Sequence, residues 1–154
     1  MNKIFKTKAK FLSSKNIKYF VSEGTNWLLS EIAVTYAKIG QHEQAIQLTK
    51  DMIYGHNMNY SQTRAQTLIN IAVMSLEAGE KDRALKILSE ALYTIKLMTN
   101  NHHKLSILKG IAFYCVRIGQ KDKVSQMLSE VFEVAKTIDY KYEVKDNVFL
   151  EIAT

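Results

Sequence analysis

The sequence of 154 residues contains no proline and a single cysteine, Cys115. Because proline removes a backbone donor and breaks helix interiors, its absence permits long uninterrupted helices. One cysteine cannot form an internal disulfide, so a reducing compartment is expected. No apolar run approaches the roughly 18 residues that a membrane span requires, and the first residues lack the apolar core of a secretory signal. We therefore expect a cytoplasmic protein with no membrane span.

Acidic residues are missing from the first 22 positions, which carry six lysines. The other 15 basic residues are balanced by 15 acidic ones, so the net charge of +6 belongs to this segment. Lysines with interleaved aromatic residues such as Phe5 and Tyr19 are typical of segments that bind nucleic acid or an anionic membrane surface. A solvated leader, or a segment whose apolar side caps the end of the next domain, fits equally. The expected division is a basic tail or capping segment at 1–22 and one folded domain at 23–154.

One pattern of apolar and small residues occurs three times along the chain, with a period of about 40 residues. An Ile-Ala pair is followed, eight residues after the isoleucine, by glycine, and five residues later by a small apolar residue. The Ile-Ala pair returns once more at Ile152, near the end of the chain. The corresponding residues are Ile32, Ile71 and Ile111; Ala33, Ala72 and Ala112; Gly40, Gly79 and Gly119; and Ala45, Ala84 and Val124.

Each repeated unit has the spacing of two helices joined at its glycine. Apolar residues recur at three- and four-residue steps on both sides, as in helices with one apolar stripe. Glycine just past a helix end adopts the left-handed conformation without a side-chain penalty. Glu43, Asp82 and Asp122 are expected in the first turn of each second helix, where the helix dipole favours negative charge. The pattern predicts helices near 25–39, 42–55, 61–78, 81–97, 103–118, 121–137 and 142–153.

One helical hairpin cannot bury its apolar face alone, so like hairpins are expected to stack. The predicted fold is all-α: an α-α superhelix of about three hairpins, with 142–153 as a lone closing helix over the end of the third hairpin. A second interpretation is that the chain is a piece of a longer array.

The repeated residues resemble the tetratricopeptide repeat over about 25–153. That family places a large residue, a small residue and then an aromatic residue in its first helix, and a small residue in its second. Two features depart from the family: its period is shorter, at about 34 residues, and its common closing proline is absent here. HEAT and armadillo arrays have closer periods but a different typical motif. The matching residues include Leu29, Ile32, Ala33, Tyr36, Gly40, Ala45 and Ile46 in the first unit; Leu68, Ile71, Ala72, Gly79, Ala84, Leu85, Leu88 and Ala91 in the second; and Leu108, Ile111, Ala112, Gly119 and Leu128 in the third.

The resemblance implies recognition of a protein or peptide in a groove lined by the first helices. Val34, Val73 and Phe113 correspond to one another and would form an apolar line suited to an apolar or amphipathic segment. The alternative is that the closing helix or tight curvature buries these residues inside the chain. The groove residues implied by matching positions are Trp27, Ser30, Val34 and Lys38, then Ile69, Asn70, Val73 and Glu77, then Lys109, Phe113 and Arg117.

No residue pattern predicts catalysis, a cofactor or a metal site. Cys115 matches a helix-contact position, and a buried cysteine behaves as a small apolar residue. His102 and His103 are adjacent, so they point apart on a helix and lack a third ligand at a suitable spacing. His42 begins a zincin-like motif that has no second histidine. We therefore expect a protein that is not an enzyme.

Three hypotheses for the function follow. The first is a non-catalytic scaffold or adaptor that binds a protein or peptide segment on its concave face. The second is a nucleic-acid-associated or regulatory protein that acts through the lysines of 1–22. The third is a structural fragment of a larger assembly that binds along its stacking ends.

Overall fold

The computed structural model describes residues 23–52 and 59–138, and these form six α-helices and no strand. The all-α prediction is confirmed for these residues, as are six of the seven expected helices. The seventh, at 142–153, and the basic segment at 1–22 lie outside the described residues. The helices are α1 (Glu23–Lys38), α2 (His42–Asp51), α3 (Asn59–Glu77), α4 (Lys81–Lys96), α5 (Asn101–Ile118) and α6 (Lys121–Lys136).

Glycine ends the first helix of each pair, as predicted. Gly40 and Gly79 have φ of 79°, and Gly119 has φ of 69°. These left-handed residues let the chain reverse direction between the two helices of a pair. The carbonyls at the end of the first helix still accept hydrogen bonds: at the end of α1, the Gln41 N–H donates to Tyr36 O at 2.8 Å. Since glycine has no Cβ, it adopts this conformation without the penalty that other residues incur.

The starts of the helices also follow the sequence. The acidic residue expected in the first turn of α2, α4 and α6 is there in each case, as Glu43, Asp82 and Asp122. Helix α5 begins two residues before the expected start. The reason is a cap: the Asn100 side chain accepts a hydrogen bond from the His103 N–H at 3.1 Å. Asparagine at this position satisfies an amide that the first turn leaves without a partner.

The six helices pack as three pairs, which we call hairpin 1 (α1–α2), hairpin 2 (α3–α4) and hairpin 3 (α5–α6). Neighbouring first helices also contact each other, α1 with α3 and α3 with α5, and α4 contacts α6. This packing is compatible with a helical repeat. The shared core contains the repeated positions: Leu29, Leu68 and Leu108; Ile32, Ile71 and Ile111; and Ala33, Ala72 and Ala112 are all buried.

Within the described ranges, every helix is too short or too polar to cross a lipid bilayer.

Candidate interaction surface

The first helices place most of the predicted groove residues at the surface. On α1, Trp27 and Lys38 are exposed, while Ser30 and Val34 are half-buried. The Ser30 hydroxyl lies 2.7 Å from that of Thr67 on α3. Because Thr67 already donates to the Thr63 carbonyl, Ser30 is the donor of this bond. Ser30 therefore helps to join α1 to α3.

On α3, Asn70 and Glu77 are exposed and Val73 is half-buried. Ile69 differs, because only 4% of it is accessible. Its Cδ1 would lie 3.5 Å from a Cβ added to Gly110 of α5. Gly110 thus lies next to the Ile69 side chain, with room for a methyl group at ordinary van der Waals distance. Ile69 forms a contact between the helices and presents little surface to a ligand.

On α5, Lys109, Phe113 and Arg117 are exposed, and Phe113 has 49% of its surface accessible. The Phe113 and Tyr114 rings meet edge to face, with centroids 5.1 Å apart. The Arg117 guanidinium carbon lies 5.8 Å from the Phe113 centroid and 6.0 Å from that of Tyr114. A cation over aromatic faces at this range is weakly attracted to them. Arg117 and the two rings therefore form one aromatic-cationic cluster.

A cleft of about 340 Å³ lies between α3 and α5, and it brings four of the predicted residues together. Ile69 forms its apolar floor, while Asn70, Lys109 and Phe113 stand around it. The predicted residues of α1 do not line it. The full lining is Gln66, Ile69, Asn70, Ser106, Lys109, Gly110, Phe113 and Tyr114.

Four of these lining residues were missed by the sequence analysis: Gln66, Ser106, Gly110 and Tyr114. Gln66 and Ser106 lie three or four residues, one helical turn, before predicted residues, so helical spacing could have found them. The Gln66 Nε2 donates to the Asn70 Oδ1 at 3.2 Å and so orients that amide. Gly110 could not be predicted to line the cleft, because a glycine inside a helical pattern can be there for several different reasons.

A larger hollow, of about 570 Å³, lies beside α4, α5 and α6. Four of its eight lining residues are charged: Lys96, Lys104, Glu130 and Glu133. Lys96 Nζ lies 3.6 Å from Glu130 Oε2, so opposite charges already meet inside it. We favour the smaller cleft as a binding surface, since it exposes an aromatic side chain above an apolar floor.

Arg64 of α3 is a buried charge that sequence reasoning missed. Its Nη1 donates to Thr94 Oγ1 at 2.6 Å, and its Nη2 lies 3.9 Å from Glu90 Oε2. Burial lowers the pKa of Arg64, while the charge of Glu90 opposes that change. An arginine pKa starts so high that the guanidinium stays charged at neutral pH. Arg64 therefore links α3 to α4 inside hairpin 2.

Cys115 is buried, and burial raises the pKa of its thiol from 9.0 to about 12. Because the thiolate is the nucleophile, this environment suppresses thiol chemistry at neutral pH. His42 is buried too, with its Nδ1 3.2 Å from the Ser75 hydroxyl and its Nε2 3.7 Å from Glu80 Oε2. Among the residues that the structure describes, no three histidine, cysteine or acidic side chains are placed to hold a metal ion.

Comparison with protein-family models, with curated proteins and with solved structures gave no match to this chain.

Proposed function

We propose that this chain is a non-catalytic, cytoplasmic protein-interaction module of the tetratricopeptide-like type. In this proposal the hairpins continue one another as a solenoid, and a peptide or protein segment binds across the face formed by α1, α3 and α5. The chain acts as a scaffold or adaptor, and its specificity comes from the side chains of the first helices.

The repeated architecture supports the solenoid. The corresponding leucine, isoleucine and alanine of each first helix are buried, and a glycine at the same repeat position ends each of these helices. Contacts join each hairpin to the next along the chain. Stacked units of this kind expose one row of first-helix side chains, which creates an extended binding surface.

The observation that carries the binding proposal is the cleft between α3 and α5. Phe113 offers a large, exposed apolar contact beside the buried Ile69. Asn70 offers an amide that can both donate to and accept from the backbone of an extended segment. Lys109 adds positive charge at the rim. A rigid aromatic anchor surrounded by polar groups is the usual composition of an energetically dominant contact.

Selection of peptides from a random displayed library on the intact chain tests the proposal. The affinities of the selected peptides are then measured for the wild type, for Phe113→Ala and for Asn70→Ala. Tyr93→Ala is the matched control, because Tyr93 is also an exposed aromatic residue but lies on a second helix. We expect Phe113→Ala to weaken binding about 30-fold and Tyr93→Ala to change it less than about twofold.

Two results would contradict the proposal. One is a set of peptides whose affinity is the same for Phe113→Ala and Asn70→Ala as for the wild type. The other is binding of a single-stranded oligonucleotide that disappears when the six lysines of 1–22 become glutamine and survives both cleft substitutions. That second result would favour a nucleic-acid-associated function, and its salt dependence would fall with the number of lysines removed.

A further inference from the structure

The cleft between α3 and α5 runs along the two helices. Its lining residues on α5 extend from Ser106 to Tyr114, which corresponds to a length of about 12 Å at a rise of about 1.5 Å per residue. A segment that enters this cleft therefore lies along α5. Its chemistry has to match the side chains that follow one another on this stretch of the helix.

Of the six described helices, α5 alone carries no acidic residue. It carries Lys104, Lys109 and Arg117, and none of the three is buried. On the other side of the cleft, the acidic residue of α3 is Glu77, which is the last residue of that helix and does not line the cleft. The cleft thus has positive charge along α5 and no carboxylate among its described lining residues.

Lys109, Phe113 and Arg117 follow one another at four-residue steps, so they form a row on one face of α5. All three side chains are exposed. Arg117 does not line the cleft itself, but its guanidinium carbon lies 5.8 Å from the Phe113 centroid, so it continues the row beyond the ring. Measured along the helix axis, the two cations lie about 6 Å on either side of the aromatic residue.

We infer that the cleft binds an extended peptide segment in which an apolar residue has an acidic residue two positions before it and another two positions after it. Every second side chain of an extended segment points to the same side, and two residues span about 6.6 Å. The apolar side chain contacts Phe113 above Ile69, and the two carboxylates meet Lys109 and Arg117. This inference rests on the proposed function and names the ligand class of the same site.

Asn70 favours an extended ligand over a helical one. Its Oδ1 accepts a hydrogen bond from the Gln66 Nε2 at 3.2 Å, and its amide nitrogen can donate to a backbone carbonyl of the ligand. The carbonyls of a helical ligand are mostly bonded within its own helix, whereas an extended segment offers them to its surroundings.

Cations beside aromatic rings are also typical of surfaces that bind single-stranded nucleic acid. Charge favours the peptide. A single strand carries a phosphate at every nucleotide and is bound along a continuous basic groove. The row has two cations, and residues 23–154 carry 15 basic and 15 acidic residues. Two carboxylates around an apolar residue match two cations around a ring.

A displayed library of nine-residue peptides, with leucine fixed at the centre and every other position random, tests this pattern on the intact chain. The peptides are fused to the display protein through their C-termini, so a terminal carboxylate cannot supply the negative charge. We expect aspartate and glutamate to be enriched about threefold two positions before and two positions after the leucine. Directly beside the leucine no enrichment is expected, because those side chains point away.

A charge-reversed chain sharpens the test. The double variant Lys109→Glu and Arg117→Glu should select lysine or arginine at the two positions where the wild type selects acids. The double variant Lys81→Glu and Lys86→Glu is the matched control, because it makes the same change in net charge on exposed residues of α4. It should select the same acids as the wild type.

One selected peptide is then measured with both of its acids replaced by glutamine. The wild-type chain should bind this peptide about tenfold more weakly at low salt, and the difference should shrink at high salt, because exposed charge pairs are screened. The Lys109→Glu and Arg117→Glu double variant should not prefer the acidic form.

Leucine-centred peptides that show no preference for acids, yet lose affinity with Phe113→Ala, would overturn the inference and leave the proposed function standing. Acids enriched at other spacings would also overturn it. A library from which no peptide is selected would overturn both. An oligouridylate that displaces the selected peptides, and that binds the Lys109→Glu and Arg117→Glu double variant more weakly, would overturn the inference in favour of a nucleic-acid ligand.

Discussion

Hairpins 2 and 3 have corresponding sequences but different surroundings. Hairpin 2 has a described neighbour on each side, and Leu88 and Leu92 are buried there. Hairpin 3 has a described neighbour on one side, and Leu128 and Phe132 remain partly accessible. The comparison shows that the repeat position of a residue does not by itself determine how deeply the residue is buried. Its burial depends on the side chains of the neighbouring units that pack against it.

The hairpins also differ in their polar contacts. Arg64 joins α3 to α4 in hairpin 2, and the corresponding residue of hairpin 3 is Lys104, which lines the charged hollow beside α6. Arginine has a planar fork that can reach two partners at once, whereas lysine is a point charge on a flexible stem. Hairpin 2 thus combines the burial of Leu88 and Leu92 with an internal polar link.

The largest expected effect comes from truncating equivalent leucines. Leu88→Ala should lower the free energy of unfolding by about 3–4 kcal/mol, because it leaves a cavity in a closed core. Leu128→Ala should cost about half as much, since Leu128 is only half-buried. Urea unfolding of both variants measures the difference. Equal losses would break the comparison and would indicate that hairpin 3 is covered as completely as hairpin 2.

Replacing two glycines by alanine, Gly79 in hairpin 2 and Gly110 in hairpin 3, should change the free energy of unfolding in opposite directions. Gly79→Ala puts a Cβ on a left-handed residue and should lower the free energy of unfolding by about 1–2 kcal/mol. Gly110 lies within α5, and a Cβ there meets Ile69 Cδ1 at an ordinary 3.5 Å. Gly110→Ala should therefore raise the stability by up to about 1 kcal/mol through helix propensity. A loss in both variants, seen by chemical unfolding, would mean that α5 cannot tolerate the added methyl group.

The buried thiol of hairpin 3 should make stability depend on alkaline pH. The folded pKa of Cys115 is raised to about 12 from 9.0, so the unfolded chain loses this proton first as the pH rises. The contribution is fully present below pH 9.0 and is lost progressively toward pH 12. At one pH unit above the unfolded pKa the loss is about 1 kcal/mol.

The measurement is the difference between wild type and Cys115→Ala, because tyrosines and lysines titrate in the same range in both. Unfolding in urea at pH 8 and at pH 10 gives that difference. Identical pH dependence in the two proteins would show that Cys115 is more accessible than the structure indicates.

The smallest expected effect concerns the exposed pair that joins hairpins 2 and 3. Lys123 Nζ lies 2.7 Å from Asp82 Oδ1, and this hydrogen bond lowers the pKa of the Asp82 carboxyl. Lys123→Gln should bring the Asp82 pKa back toward its ordinary value in an NMR titration. Because both groups are exposed, the Tm should not change measurably. An unchanged Asp82 pKa would mean that the pair does not persist in solution.

Much of the fold could be predicted from repeated residues. The spacing of Ile32, Ile71 and Ile111 predicted the length and position of the repeat units, and the glycines predicted the turns between paired helices. These features depend on local conformation and on one apolar stripe per helix, so they can be read along the chain. The superhelical arrangement of the hairpins stays a prediction, as does the tetratricopeptide-like character of the chain.

The candidate surface was less predictable. The sequence placed Asn70, Lys109 and Phe113 on the first helices, but it could not tell that Ile69 is a buried contact between α3 and α5. It also gave no indication that Gly110 of α5 lies next to Ile69. Both depend on the distance between two helices that are far apart in the chain, and that distance is set by every side chain between them.

The sequence by itself determined that the described chain is helical, where its first helices end and which residues form its core, because these follow from backbone preferences and helical periodicity. Only the tertiary structure decided that Arg64 is buried and joins α3 to α4. It also decided that Ile69 is buried in the cleft between α3 and α5, whereas Phe113 is exposed in the same cleft. Side chains at identical repeat positions differ in how much of their surface is exposed, because burial depends on the neighbouring residues that pack against them.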